Sequence, residues 1–316
     1  MKKPLISIIV PVYNCYHLID RFLESFENQT SKNFEIVFCD DFSTDDTYYL
    51  LEKKLKNYKF NYKLFKNQKN EGPGVTRNNA MAKSSGDYLT FVDPDDFVTL
   101  DFVEKIEKII KKYNSDAIIF DFNIVKDTKV FLKKSLPVSE KNISTEIAVA
   151  LSNGMCWGKV FKKDIIFSNK ILFPNLMRSE DLAFSKVALS KCKKIYYLQD
   201  AMYNYVIVKT SIMHNKKTLN INNNILSFEY IENNVKSDES LEMVFIREYL
   251  YLITQILITQ KENTKNILNF IHESEKKFPD WYKNKYIKYQ PMYIKVILFF
   301  IKVKFILPLR LIFLLK

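Results

Sequence analysis

The stretch YLTFVDPDDF, residues 88–97, runs from strand-forming apolar side chains into three carboxylates within four positions, Asp93, Asp95 and Asp96, with Pro94 stiffening the turn. Like charges this close repel and raise one another's pKa, so the arrangement is costly unless a cation or hydrogen-bond donors offset it. Whether this acidic turn closes one strand of a parallel sheet decides the fold, because open α/β sheets bind ligands beyond the carboxyl ends of their strands.

Working outward, LISIIVPV, FEIVFC and NYKLFK upstream and DAIIFDF downstream have the same strand character. Helical patterns separate them, from about Tyr16 to Asn28, Thr44 to Leu55, a start near Gly72, and Leu100 to Tyr113. Strands this continuously apolar are covered on both faces, which predicts a doubly wound, mostly parallel α/β sheet. The Lys-rich, polar residues 124–142 read as a loop or irregular crossover, and 143–208 as a mixed region with a helix near Ser179–Ser190. From about Thr218 the pattern is helical, over 218–235, 240–261 and 263–277, with Pro279 and Pro291 as breaks. The predicted domains are therefore residues 1–215, divided into a ligand-binding region over 1–122 and a second region over 123–215, and a helical C-terminal region over 216–316.

The composition narrows the class. At 47% hydrophobic residues and only 5 glycines, the 316-residue chain is neither disordered nor of low complexity, and it has no repeat of solenoid length. Cys15, Cys39, Cys156 and Cys192 are scattered, without C-x-x-C pairs or histidine partners for zinc, and read as reduced thiols in a cytosolic compartment. The N-terminal MKKPLISIIVPVYN is too short, and too interrupted by Pro11, for a secretion signal; it reads as a first buried strand.

Four polar clusters fall at strand ends: VPVYN, CDDFSTDDT, NQKNEGPGVTRNNA and VDPDD. Each has a structural reading as well. Asp40 and Asp41 with Ser43 and Thr44 suit a helix cap, Gly72–Pro73–Gly74 a turn, Arg77 a surface charge, and DPDD an Asx-turn with an N-cap. Together they suit a hard divalent cation, Mn2+ or Mg2+, held by one or two carboxylates and completed by substrate phosphate, with Arg77 as counter-charge to a diphosphate.

In this order and spacing, VPVYN, CDDFSTDDT, NEGPGVTRNNA and FVDPDD resemble the family 2 glycosyltransferases, inverting nucleotide-sugar enzymes of the GT-A fold; the likeness covers roughly residues 4–215. The resemblance implies that Pro11 and Tyr13 line the nucleobase pocket and that Asp41, helped by Asp40, accepts a hydrogen bond from the base. It sets Asn70 and Arg77 near base and diphosphate. Asp93 and Asp95 become the D-x-D pair, Asp93 facing ribose or metal and Asp95 ligating the metal, while Asp96 caps the following helix.

FPNLMRSEDLAFSKVAL resembles the family's later segment, which implies Asp181 as general base and Glu180 as a supporting or acceptor-binding residue; as bare residues, both also suit the positive end of a helix. MCWGKVFKK resembles a stretch that often reads W-N-K-x-F, with Gly158 replacing the Asn. On that likeness Trp157 and Lys159 lie on the acceptor side, Trp157 either as a sugar-stacking wall or as a core residue. In VKTSIMHN, Ser211 and His214 fall where relatives place a loop closing over the diphosphate, with His214 a candidate metal ligand or a plain surface histidine.

The implied activity is inverting transfer of a hexosyl or N-acetylhexosaminyl group from a nucleoside-diphosphate sugar, UDP-sugars first, to a hydroxyl of a cell-surface polysaccharide or lipid-linked glycan. Two rivals are a nucleotidyltransferase, which wants a glycine-rich loop where VPVYNCYHL has none, and a non-catalytic nucleotide-sugar-binding membrane scaffold.

The charge is lopsided. After Asp280 no acidic residue occurs, and eight basic residues follow out of a net +12. Residues 291–316 are apolar enough to suggest a span, but Lys302 and Lys304 near the middle and Pro308 argue against one. Continued as one helix, this tail gathers Lys295, Lys302, Arg310 and Lys316 on one side, the pattern of a helix lying on an anionic membrane; packing on protein or on a second copy is the alternative. Aliphatic spacing of the basic residues speaks against nucleic acid. The expectation is a cytoplasmic enzyme, peripheral on the inner face of the cell membrane, with homo-oligomerisation through the C-terminal helices open.

Overall fold

A computed structural model describes residues 3–207 and 221–314. The apolar runs form β1 (Ile6–Val12), β2 (Phe34–Asp40), β3 (Asn61–Lys66) and β4 (Tyr88–Phe91), parallel and in the order β3-β2-β1-β4. Between them lie α1 (Asp20–Glu27), α2 (Thr47–Leu55) and α3 (Pro73–Lys83). β5 (Phe97–Val98), α4 (Phe102–Tyr113) and β6 (Ala117–Lys126) follow. Alternation along β1 sends Ile6, Ile8, Val10 and Val12 into one core with Phe22 and Phe26 of α1 and with Phe102, Val103 and Ile106 of α4. The i, i+1, i+4 spacing of those helical residues is what gives each helix a single buried stripe. α4 stops where Asn114 turns left-handed, at φ 45°.

The rest of the sheet comes from β7 (Lys129–Lys133), β8 (Asn142–Ile143), β9 (Lys159–Lys162) and β10 (Ile195–Val206), with α5 (Thr145–Leu151), α6 (Lys163–Ser168) and α7 (Glu180–Ser190). The full order is β3-β2-β1-β4-β9-β6-β10-β5, with β7 on β6 and β8 on β10. One expectation changes here, and the mostly parallel sheet gains antiparallel members: the four-residue β9 inserts antiparallel between β4 and β6. Residues 124–142 are not all loop: β6 continues to Lys126, turns at Asp127 (φ 53°) and pairs with β7. β7 is exposed along its whole length, so it carries no apolar alternation to announce it.

The described residues up to Thr145, with Asn153–Ile207, make one compact unit; Glu146–Ser152 joins the C-terminal residues in a second. α5 thus belongs to the helical unit rather than to the region over 123–215, and Arg247 Nη1 fastens it there by donating to the Leu151 carbonyl at 3.2 Å. That unit holds α8 (Ile221–Asn234), α9 (Glu239–Val244), a π-helical stretch at Phe245–Tyr251, α10 (Leu252–Thr259) and α11 (Thr264–Glu275). α12 (Met292–Lys302) and α13 (Ile306–Leu314) end it. The tail is therefore two helices broken where Lys304 turns to φ 55°, not one helix through Pro308. Ile297, Leu298 and Ile301 of α12 and Leu309 and Phe313 of α13 are buried. Lys304 pairs with Glu275 at 3.0 Å and Arg310 donates to the Glu262 carbonyl at 2.5 Å. Among the described residues no helix is long and apolar enough to cross a membrane.

Candidate active site

The carboxyl ends of β1 and β2 are tied together. Asn14, left-handed at φ 46°, exchanges hydrogen bonds with the next loop: its Nδ2 donates to Thr44 Oγ1 at 3.0 Å, and its Oδ1 accepts from the Thr44 N–H at 2.9 Å. Asp40 is fully buried and takes the Ser43 N–H at 2.9 Å and the Ser43 hydroxyl at 2.5 Å. Asp41, also buried, accepts from Asn67 Nδ2 at 2.9 Å and from the Glu71 and Gly72 N–H groups at 2.8 Å each. Both carboxylates thus spend hydrogen bonds on shaping loops, Asp41 by drawing the 67–72 segment beneath it. Gly72 meets that demand at φ 85°, ψ 163°, a conformation essentially reserved for glycine. Pro11 is half-buried, Asn70 is exposed on the same loop, and Tyr13 is exposed at the end of β1. Phe42, exposed at φ 58° after β2, is a second open aromatic ring that sequence reading passed over, although it stands inside CDDFSTDDT.

Arg77 is not the free counter-charge that the spacing suggested. Its guanidinium is buried, with Nη1 donating to Glu180 and Nη2 to Asp93, both at 2.9 Å. Burial opposes its charge, but Asp93, Glu180 and Asp181 outweigh that and hold its pKa raised well above the ordinary arginine value. Its Nε is buried with no acceptor among the described residues. The close approach is built by Gly74, where a Cβ would stand 2.9 Å from Glu180 Cγ and 3.1 Å from the Pro174 carbonyl oxygen. Arg77 therefore links the acidic turn after β4 to the first residue of α7.

The acidic pair opening α7 splits in two. Glu180 is buried against Arg77, while Asp181 is half-buried and its Oδ1 accepts only the Leu182 N–H, at 2.8 Å, among the described residues. Burial, then the Glu180 charge, push the Asp181 carboxyl up to about 7, against the pull of Arg77. The residue before the pair, Ser179, sits left-handed at φ 63°, a strained entry to the helix.

In the turn itself, Asp95 is half-buried, and burial followed by the charge of Asp93 pushes its carboxyl up to about 6. No cationic side chain pairs with it among the described residues. Asp96 does not cap a helix. It is fully buried and accepts from Tyr203 Oη at 2.5 Å and from the Val206 N–H at 2.7 Å, which fixes the turn to β10. Tyr203 in turn accepts from the Asp93 N–H at 3.2 Å. Among the described residues no three ligating side chains cluster, so a cation held by Asp93 and Asp95 would need its other oxygens from substrate or water. Two carboxylates with no cation partner at Asp95 fit a hard divalent ion bound in that way.

The acceptor-side pair is overturned. Trp157 is buried, its ring parallel to Tyr203 at 4.6 Å and 4° and to Tyr205 at 5.6 Å and 14°, so it is core rather than a sugar-stacking wall. Lys159 is fully buried and donates to the Asn153 carbonyl at 3.1 Å, Asn153 Oδ1 at 2.6 Å and the Met155 carbonyl at 2.7 Å. All three of its hydrogens are used, and none is left for an acceptor sugar. Gly158 between them has φ 74°, a region open to glycine and asparagine, and its carbonyl accepts from the Phe120 N–H at 3.1 Å. Ser211 and His214 lie outside the described residues.

The sheet order, with polar loops gathered at the carboxyl ends of β1, β2 and β4, defines the class as a GT-A fold. Over 95% of its length the chain matches residues 1–349 of Staphylococcus aureus TarS, crystallised with UDP-GlcNAc, at a TM-score of 0.72 and 22% identity, covering 88% of that chain. It matches the mannosyltransferase PcManGT of Pyrobaculum calidifontis, solved with GDP-Man and Mn2+, at 0.60 and 16% identity, covering 94% of this chain and 79% of that one. Residues 7–169 match the model of glycosyl transferase family 2, and the chain belongs to that family. Among its relatives, the poly(ribitol-phosphate) beta-glucosyltransferase of Bacillus spizizenii is 31% identical over 208 residues, 64% of this chain and 32% of that protein. The cholesterol galactosyltransferase of Borreliella burgdorferi is 26% identical over 276 residues, 80% of this chain and 75% of that protein. The chain spans about a third of the length of the first of these relatives.

Proposed function

We propose that the protein transfers a sugar, with inversion, from a nucleoside-diphosphate sugar to a hydroxyl of a cell-envelope glycan or lipid-linked acceptor. The observation that carries this reading is the single network Asp93–Arg77–Glu180, which joins the acidic turn after β4 to the helix whose second residue, Asp181, has a carboxyl tuned to about 7. In the reaction the acceptor hydroxyl gives its proton to Asp181 as its oxygen bonds the anomeric carbon. The bond from that carbon to the diphosphate oxygen breaks on the opposite face, and its electron pair leaves with the diphosphate. Tyr13 and Pro11 border the base, Asp41 shapes the loop beside it, and Glu180, held by Arg77, fixes the register of α7. Asp95 with Asp93 would hold Mn2+ or Mg2+, which when bound neutralises charge on the departing diphosphate.

Relatives named for action on poly(ribitol-phosphate) support a cell-envelope polymer as acceptor, and a UDP-GlcNAc complex at 22% identity makes UDP-sugars the first donors to try. The test is a thermal-shift panel of UDP, GDP and their sugars with and without Mn2+, followed by release of nucleoside diphosphate. The expected result is a metal-dependent shift by one nucleotide class that Asp95→Asn removes, with turnover lost and nucleotide binding kept in Asp181→Asn. No shift with any nucleotide sugar would overturn the proposal.

A further inference from the structure

We infer that the outer face of α12 and α13 is a docking surface for an anionic lipid bilayer. Each helix carries two apolar faces. One is buried within the helical unit, by Ile297, Leu298 and Ile301 on α12 and by Ile306, Leu309 and Phe313 on α13. The other faces solvent. On α12 it follows the spacing i, i+4, i+7, i+11, with Met292 (72% exposed), Val296, Phe299 (57% exposed) and Val303; on α13 it is Leu307 and Leu311, with Phe305 exposed in the break between. Large apolar side chains scattered singly on a surface need no explanation, but a helical stripe of them continued onto the next helix does.

The charges around the stripe choose its occupant. No acidic residue follows Asp280, so every charge that α12 and α13 themselves contribute to this face is positive, while Glu248 and Glu275 stand beside them from neighbouring elements. Lys304 and Arg310 are engaged with Glu275 and the Glu262 carbonyl and hold the helices in place. Lys295 and Lys302, one heptad apart, flank Phe299, and neither forms an ion pair with an acidic residue among the described residues. Lys302 is exposed, with Nζ 3.6 Å from the centre of the Tyr282 ring. Aromatic rings and lysine heads around an aliphatic stripe suit the headgroup boundary, where lysine stems lie along apolar surface and the heads meet anions. A second copy in two-fold contact would instead bring two such faces together, each carrying Lys295 and Lys302 and with no acidic residue of α12 or α13 to offset them. At 11 and 9 residues the helices measure about 17 and 14 Å, roughly half a bilayer core, so they lie on the membrane rather than cross it.

The test uses the full chain in flotation with extruded vesicles of phosphatidylcholine alone or mixed equally with phosphatidylglycerol. Partition onto the anionic vesicles should exceed that onto the neutral ones at least tenfold and fall in 0.5 M NaCl. The double substitution Phe299→Ser with Phe305→Ser, at two exposed positions, should cut binding to anionic vesicles at least tenfold without lowering the melting temperature. Lys295→Glu with Lys302→Glu should remove the preference for anionic lipid. Wild-type protein that floats with neither vesicle, or equally with both, overturns the inference. So does a dimeric mass by light scattering that Phe299→Ser returns to monomer, since the occupant would then be a second copy.

Discussion

Arg77 donates from Nη1 to Glu180 at 2.9 Å across 103 positions of sequence, and its Nη2 is spent on Asp93 at the same distance. One guanidinium therefore fixes two acids from distant segments, one in the turn after β4 and one opening α7, each beside a group with a proposed chemical role. The planar fork is what makes this possible, because two nitrogens of one rigid group point at two carboxylates at once.

Arg77→Lys should break that link rather than weaken it. A single ammonium cannot satisfy both acids in this geometry, and Glu180 would be left buried without its partner. Removing one partner of a buried pair costs about 3–5 kcal/mol. The expected outcome is a loss of that order in urea unfolding, with turnover down at least about 100-fold, in line with a misplacement of roughly 1 Å at a reacting centre. Near-normal turnover in Arg77→Lys would show that the link does not position α7.

The pH dependence follows from Asp181, whose carboxyl is pushed up to about 7 by burial and by Glu180. A base must be ionised to act, so kcat/KM should rise tenfold per pH unit below about 7 and level off above it. Stability runs the other way. The folded state holds this proton more tightly than the unfolded chain, whose value is near the ordinary 3.8, so this group's contribution is complete below pH 3.8 and is lost as pH rises through about 7. Asp181→Asn, which never ionises, should be inactive, and its stability relative to wild type should be greater at pH 8 than at pH 4 by about 1–3 kcal/mol. Unfolding curves at the two pH values decide this, and an equal difference at both would remove the assignment of a raised pKa.

The strand ends were legible in the sequence because their signals are local: continuous apolar runs stop at polar clusters, and β1, β2 and β4 stop there too. What each polar residue does was less legible, because long-range pairing decides it. Asp96 reads as a helix cap until Tyr203, 107 positions away, takes its carboxylate. Lys159 reads as an acceptor-side residue, and Trp157 as either a sugar wall or core, until burial shows their partners, and β9, four residues long, has no period of its own to mark it as the strand between β4 and β6. In the tail the wheel found the basic residues but assumed one helix, and the break at Lys304 put Lys304 and Arg310 into internal contacts instead.

Lys159→Met separates a structural lysine from an acceptor ligand. The substitution keeps length and removes three donated hydrogen bonds. The Met155 carbonyl retains the Ser185 hydroxyl at 2.9 Å, while the two Asn153 acceptors lose the partner they have in Lys159. At about 1–3 kcal/mol for each buried polar group left unpaired, the loss should be about 2–4 kcal/mol, offset in part because burial already draws the lysine's own pKa down. Assayed below its lowered melting temperature, the variant should keep the wild-type KM for acceptor. A tenfold rise in that KM with little loss of stability would return Lys159 to the acceptor site.

Gly158 gives the sharpest test of conformation against contact. At φ 74° the position excludes β-branched residues and tolerates asparagine, and a Cβ built there meets nothing nearer than the Phe120 carbonyl oxygen at 3.7 Å. Space is therefore not the obstacle; backbone energy is. Gly158→Ala should cost about 1–2 kcal/mol, the penalty of a left-handed L-residue, and Gly158→Val more, while Gly158→Asn should cost less than alanine because its amide can hydrogen-bond locally in that conformation. If the asparagine carried by relatives served a ligand, Gly158→Asn would instead change donor or acceptor KM at unchanged stability. Melting temperatures of the three variants, read beside their KM values, distinguish the two outcomes, and an asparagine variant no more stable than the alanine one would remove the conformational account.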